Sequence, residues 1–407
     1  MFLTGVLISM ILAKNNNFIY LILGRLITNF GDSLYFVSLT YITISLFDLG
    51  VRALALFGLV AFIPSLLSFA FGPFIDNFRN KKLLLVLFEF IQLLSVLGVL
   101  FVVYYRSEFI YLIIFHFLFS LTNTLIYPVQ SSFVPQILNN NKEQVEKSVY
   151  IMNVSNNLTD ITSNFIASII LLSMSIVSIL TLDLATFVIS ILLFLKISSV
   201  PSQKSVEKNT TYSSDIVFSF KYFLQEKVPS RIVIMEGILS GLTTMIMRIV
   251  GAYFVIINVG VEYLGVLLAV QKGSEMLGTL VSEKIKMQYK NFFMIDYLLS
   301  GTAIIFIVFI DSIAIKLGLF SLTFILIGMS GTVYGKMIYH YYEYDHLGKV
   351  STVINTVSSI AIVTSMIIPL VYENVVNLIL ITGIITVLFG SSLLFFDKQK
   401  KEKKIIQ

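Results

Sequence analysis

Apolar runs follow one another along the whole chain, and within stretches such as 83–105, 109–135 and 375–396 no more than one side chain is ionised. At 1.5 Å rise per residue, about 20 such residues cross the ~30 Å hydrocarbon of a bilayer. Backbone in lipid has to satisfy its own hydrogen bonds, so runs of this length cross as helices. Apolar length and loop charge together predict about twelve spans. Their limits are near 18–47, 51–75, 81–105, 109–135, 145–172, 175–197, 230–257, 262–285, 291–311, 313–341, 347–372 and 375–396. The shortest separations, at Met174 and at Asp311-Ser312, divide runs that otherwise read as one continuous helix.

The residue balance agrees, with 57% hydrophobic and 13% charged, where soluble domains have about half and a quarter. Cysteine is absent, which excludes disulfides, thiolate-bound metal and a cysteine nucleophile. The formal charge of +5 does not point to nucleic acid, because the cations sit in loops and near the C-terminus, where they face lipid headgroups. With no Trp, the interfacial aromatic role falls to the 20 Tyr.

Lys and Arg fix an expected orientation. Only Arg52, Arg106 and Lys316 fall in loops of one face, and Arg25, Arg248, Lys272 and Lys336 lie inside spans; all the others gather on the opposite face or in the tail. The positive-inside rule makes that face cytoplasmic, with both termini on it. Residues 1–198 then form an N-terminal six-helix bundle, 199–229 a polar cytoplasmic linker, 230–397 a C-terminal six-helix bundle and 398–407 a basic tail held to headgroups. Tyr212, Ile216, Phe220 and Phe223 recur at near-helical spacing, so 212–227 is expected as an interfacial helix or a connector with a few apolar contacts. The run 1–13 is too short to span, and Lys14-Asn15-Asn16-Asn17 makes a natural leader, so Met10 is the expected start.

A charge at a helix centre costs about 3 kcal/mol on insertion scales, so those retained face protein, water or one another. Candidates are Arg25, Asp32, Glu89, Asp160, Glu236, Arg248, Lys272, Glu275 and Lys336. Asp32 lies about fourteen residues into its span, roughly 21 Å along the helix. A carboxyl there can take up and release a proton in each cycle, or it can pair with a neighbouring cation for structure alone. Glu236, Glu89 and Asp160 are the other proton-coupling candidates. Lys272 and Glu275, three apart, are expected as a structural ion pair. His116 and His340 fit proton relays, although a lone His among aromatics is more often packed and hydrogen-bonded.

The turn Gly72-Pro73-Phe74-Ile75-Asp76-Asn77-Phe78-Arg79-Asn80-Lys81-Lys82 resembles the signature between the second and third helices of major facilitator superfamily transporters. Gly72, Asp76, Lys81 and Lys82 match it, while Asn77 and Arg79 stand where a basic residue and a glycine are usual. The stretch from Tyr127 to Leu138, followed by Asn141-Lys142-Glu143, is similar to the macrolide-efflux and siderophore-export branch, as are Leu182 to Ser190 and Gly24 to Ser33. Departures are Ser163 to Ser168, which lacks the Gly and Pro of drug:proton antiporters, and Gly278 to Lys286, with Ser282 in place of an acid.

The resemblance implies an all-α membrane protein of two pseudo-symmetric six-helix bundles, with a central cavity lined by helices 1, 4, 7 and 10. By that analogy Asp32, Tyr35, His116, Glu236, Arg248, Tyr334 and Lys336 line the cavity. It also implies that Gly72, Asp76, Arg79, Lys81 and Lys82 form a conformational-switch loop, in which Asp76 either latches the neighbouring bundle or simply caps a helix.

The expected function is secondary active transport: proton-coupled export of an amphipathic drug, siderophore or other metabolite from a bacterial plasma membrane, by a monomer working through alternating access. Phe-rich walls suit such a ligand, with one or two charges orienting it. No cofactor, metal or nucleic-acid partner is expected. The alternatives are a receptor or sensor that binds without transporting, and a membrane-embedded lipid-modifying enzyme. Against an enzyme, the chain has no metal-ligand cluster, no His-Glu-x-x-His pattern and no nucleophile elbow, and without an ATP-binding loop an ATP-driven pump would need a separate subunit.

Overall fold

A computed structural model describes residues 15–78, 80–139, 141–198, 220–282, 285–342 and 347–395. Twelve long helices appear among them, and no strand. They are α1 Asn16–Tyr41, α2 Val51–Asn77, α3 Lys81–Tyr105, α4 Phe109–Ile137, α5 Lys142–Ser173, α6 Ile176–Lys196, α7 Lys227–Ile256, α8 Leu264–Ser282, α9 Tyr289–Phe309, α10 Ile313–Tyr341, α11 Leu347–Val371 and α12 Val375–Leu394. Each corresponds to one expected span, and α1 continues through a π-helical turn at Ile42–Leu46. The two shortest separations are real. Met174 is extended between α5 and α6, and Ile310 is extended after α9.

Local chemistry explains several of the boundaries. Asn15, Asn80 and Asn141 open α1, α3 and α5 by accepting from Phe18 N at 3.1 Å, Leu83 N at 3.0 Å and Gln144 N at 3.1 Å, and Ser175 does the same for α6. Asn139 and Asn258, just past α4 and α7, take the left-handed backbone that stops a helix.

Nine helices among the described residues are long and apolar enough to cross a membrane. α1 falls outside that group because it carries Arg25, Asn29 and Asp32; α2 and α5 hold shorter apolar stretches, Val51–Leu66 and Leu158–Ser173. α3 shows the reversed polarity of a lipid-embedded rod. Leu83, Leu87, Phe90, Leu94, Leu97, Phe101 and Tyr104 make an exposed apolar stripe at three- and four-residue spacing, while Glu89, Gln92 and Ser95 are buried on the other side.

The chain divides into two compact units. The first comprises Met1–Ile216, Ser240–Gly273 and Asn355–Val375, so it holds α1–α6, the second half of α7, the first half of α8 and most of α11. Within it α1 packs along α5 and α6, α3 along α4 and α6, and α2 along α4. Two apolar clusters form its core. One surrounds Leu21, Leu84, Ile126 and Phe194, and the other surrounds Tyr35, Val99, Phe119 and Phe187. Between these levels lies a polar layer of Arg25, Thr28, Glu89, Gln92, Asp183 and Ser190.

The second unit comprises Val217–Leu239, Ser274–Ile354 and Val376–Gln407, with α9 packed along α10. Close helix crossings at Gly278 and Gly328, and at Gly301 and Gly383, bring backbones together there. Residues 220–225 are helical, and Phe223 is buried where its carbonyl accepts from Tyr342 Oη at 2.9 Å. Tyr212, Ile216, Lys204, the residues around Met10 and the tail 398–407 lie outside the described residues.

Candidate functional site

Three- and four-residue spacing puts Asn29, Asp32, Ser33, Tyr35 and Phe36 on one side of α1, and His116, Phe119, Ser120, Asn123 and Thr124 on one side of α4. In the first unit these two faces meet Ala61 and Phe62 of α2, Asp160 and Asn164 of α5, Thr243, Thr244, Met247 and Arg248 of α7, and Leu268 and Gln271 of α8. Together they line an open cavity of about 460 Å³. One part of its wall is aromatic, from Tyr35, Phe36, Phe62 and Phe119; much of the rest is amide, hydroxyl and charge.

The aromatic part is rigid. Tyr35 stacks on Phe119 with ring centroids 4.1 Å apart. His116 Nε2 lies 3.2 Å from the Phe57 carbonyl and Nδ1 lies 3.3 Å from Tyr35 Oη. A carbonyl only accepts, so the proton sits on Nε2 and Tyr35 donates to Nδ1. Both ring nitrogens are thereby committed, which fits a packed histidine that fixes Tyr35 in the wall.

On the polar part, Asn29 Nδ2 donates to Asp160 Oδ1 at 2.7 Å, Asn164 Nδ2 donates to the Asp160 carbonyl at 2.7 Å, and Ser33 and Ser163 hydroxyls meet at 2.8 Å. The first and third of these bonds tie α1 to α5, and the second lies within α5. Asp32 lies between them and Tyr35, and its Oδ1 is buried without a hydrogen-bond partner among the described residues. Arg248 enters from α7. Its guanidinium lies 4.5 Å from the Phe36 ring centroid and 5.4 Å from that of Phe62, and its stem passes over Gly58, where a Cβ would lie 3.2 Å from Arg248 Cγ.

Of the residues singled out from sequence, the cavity therefore brings together Asp32, Tyr35, His116, Asp160 and Arg248. Glu89 is elsewhere, fully buried in the polar layer with its Oε1 3.6 Å from Arg25 Nη1, while Arg25 also donates to Thr28 Oγ1 at 3.1 Å. Glu236, Tyr334 and Lys336 belong to the second unit. There Tyr297 Oη donates to Glu236 Oε1 at 2.7 Å, and Ser330 Oγ donates to the neighbouring Asp296. Lys272 falls in the first unit and Glu275 in the second. Of the expected switch loop, Arg79 and the side chains of Gly72 and Asp76 lie outside the described residues. Lys81 is buried, and Lys82 Nζ donates to the carbonyls of Leu195 at 2.7 Å and Ile197 at 2.6 Å, a cation on the negative end of α6.

Sequence reasoning passed over Asn29, Asn123, Asn164, Gln271 and Asp183. Spacing was the available signal: Asn29 is one turn before Asp32, Asn164 one turn after Asp160, and Asn123 two turns after His116. Asp183 touches α1, where a Cβ on Gly31 would run into its carboxyl and into Thr186. Both oxygens of Asp183 and both polar atoms of Gln92 are buried without a hydrogen-bond partner among the described residues. An orphan of this kind costs about 1–3 kcal/mol. Gln92→Leu, close in volume, is therefore expected to raise the unfolding temperature of the detergent-purified protein; a fall shows that the amide has a partner in the membrane.

Among the described residues no group of three or more His, Cys, Asp or Glu is placed to hold a metal. No curated protein sequence matches the chain. Among solved structures, a bacterial homologue of the iron transporter ferroportin in an inward-facing state is similar in fold, with TM-score 0.74 and 14% identity over 94% of this chain and 98% of that one. The nucleoside transporter NupG gives 0.72 and 12% over 95% and 100%, and a D-xylose-proton symporter gives 0.68 and 14% over 93% and 97%. The model of the Major Facilitator Superfamily matches residues 42–366, which take in most of the cavity wall described above. By that match, and by twelve helices arranged as in these transporters, the chain is a multi-pass membrane protein that belongs to the Major Facilitator Superfamily.

Proposed function

We propose that the chain is a proton-coupled secondary carrier that exports an amphipathic small molecule by alternating access. One observation supports this most: an open cavity with an aromatic part and a polar part holds Asp32 in its wall, midway along α1. A carboxyl held in that position binds a proton and a ligand in mutual competition, which is what couples their movements. Asp160, pinned by Asn29, shapes the wall beside it. Glu89 neutralises Arg25 inside the bundle, and the Glu236 and Asp296 pair is a second set of proton-coupling candidates. Export follows from the likeness of 127–138 and 182–190 to the macrolide-efflux and siderophore-export branch. Both termini are cytoplasmic by the distribution of Lys and Arg.

Reconstitution tests this. Proteoliposomes loaded with a fluorescent dye or a carboxylate siderophore are expected to release it when a pH gradient is imposed and to stop when an ionophore collapses the gradient. Binding without flux favours a receptor, and flux indifferent to the gradient removes the proton. The chain contains no cysteine, so Lys204→Cys supplies a single reporter for topology. It should react with an impermeant maleimide only from the cytoplasmic side of a membrane vesicle; labelling from outside an intact cell inverts the assignment.

A further inference from the structure

Among the described residues Arg248 is the one lysine or arginine in the cavity wall. It faces Phe36 and Phe62, whose ring faces attract the charge but leave the in-plane N–H groups unused. Neither a carboxylate nor a hydrogen-bond acceptor for it occurs among the described residues. Arg248 is partly buried and lines the open cavity, so its donor fork is reachable by an oxyanion that enters there.

We infer that the transported molecule carries a carboxylate, and that Arg248 receives it through paired N–H donors. The geometry of guanidinium and carboxylate matches this two-point contact. A carboxylate is favoured over a phosphate because a single cation balances one negative charge, and His116, the other basic side chain of the wall, already has both nitrogens engaged. Asn123, Asn164 and Gln271 with Thr243 and Thr244 supply hydrogen-bonding groups for the remainder of the ligand, and Phe119 and Tyr35 a flat surface. The ligand class is thus a small polar acid that also bears a hydrogen-bond donor or cationic group for Asp32, which a proton there displaces, of a size set by about 460 Å³. The inference rests on the carrier reading for the word transported, but the binding site stands or falls by itself.

The experiment measures thermal stabilisation of the detergent-purified full chain by matched pairs that differ only in the carboxylate: tyrosine and tyrosinamide, benzoate and benzamide, salicylate and salicylamide, with inorganic phosphate alongside. At least one acid is expected to stabilise the protein while its amide and phosphate do not. Arg248→Gln should weaken that acid about 10- to 100-fold. Arg248→Lys, which keeps the charge and loses the fork, should weaken it less and retain the preference for acid over amide. If Arg248→Gln cannot be purified folded, the lysine variant carries the test. Stabilisation by no acid, equal stabilisation by an amide or by phosphate, or unchanged affinity in either variant overturns the proposal. Carboxylate-selective binding without gradient-driven flux would instead overturn the carrier and leave the Arg248 site in place.

Discussion

Asp32→Asn is expected to reduce gradient-driven accumulation in proteoliposomes to the level of protein-free vesicles, while insertion, yield and unfolding temperature stay close to wild type. Asparagine keeps the size and shape of the side chain. It cannot alternate between a charged and a neutral form, so ligand and proton no longer exclude one another at that position. Exchange of ligand down its own gradient should persist, because the cavity and Arg248 are intact. That combination separates coupling from binding; a variant that accumulates ligand as wild type does takes Asp32 out of the coupling step and moves attention to the Glu236 and Asp296 pair.

Gly328→Val and Gly278→Val are expected to be the most damaging single changes to folding. A Cβ at Gly328 would run into the backbone carbonyl of Glu275, and one at Gly278 into the backbone of Ile325 and Met329, so α8 and α10 touch main chain to main chain. Thr279 Oγ1 donates to the Gly328 carbonyl at 3.3 Å and the Ser274 and Ser321 hydroxyls meet at 2.7 Å along the same seam. Backbone cannot rotate aside as a long side chain can, so the helices have to separate and surrender this seam. The loss is about 3 kcal/mol or more, seen as a lowered unfolding temperature and a poor monodisperse fraction in detergent. Gly335→Ala is the control, because a Cβ there meets nothing within 4 Å. Wild-type stability in Gly328→Val would show that α8 and α10 do not need this contact.

Span by span, the fold was legible because lipid imposes a length and the turns impose a polarity. Even the break at Met174 was readable from a run too long to be one crossing. Within the site, the ionised residues stood out because charge in an apolar helix is expensive and rarely idle. Amides and hydroxyls cost less and can bond to their own helix, as Thr122 and Thr124 do, so Asn123 and Gln271 did not announce themselves. Glu236 illustrates a different gap. Assigning whole helices to a cavity does not say which unit each part of a helix joins, and Glu236 falls in the second unit, where Tyr297 donates to it. The Gly278 and Gly328 crossing was hidden because a glycine in a membrane helix reveals a close approach only when the facing helix is known.

The π-helical turn at Ile42–Leu46 limits what α1 can offer a ligand. One extra residue in a turn swings everything beyond it by about 100° relative to an unbroken helix. The stripe from Asn29 to Phe36 ends one turn before it, where Thr40 turns its hydroxyl onto the Phe36 carbonyl at 3.2 Å, and Thr43 turns its own onto the Leu39 carbonyl at 2.7 Å. Along this wall the rod works as a ruler roughly 10 Å long, so cargo that fits beside it lies within that length or has to bend toward α7.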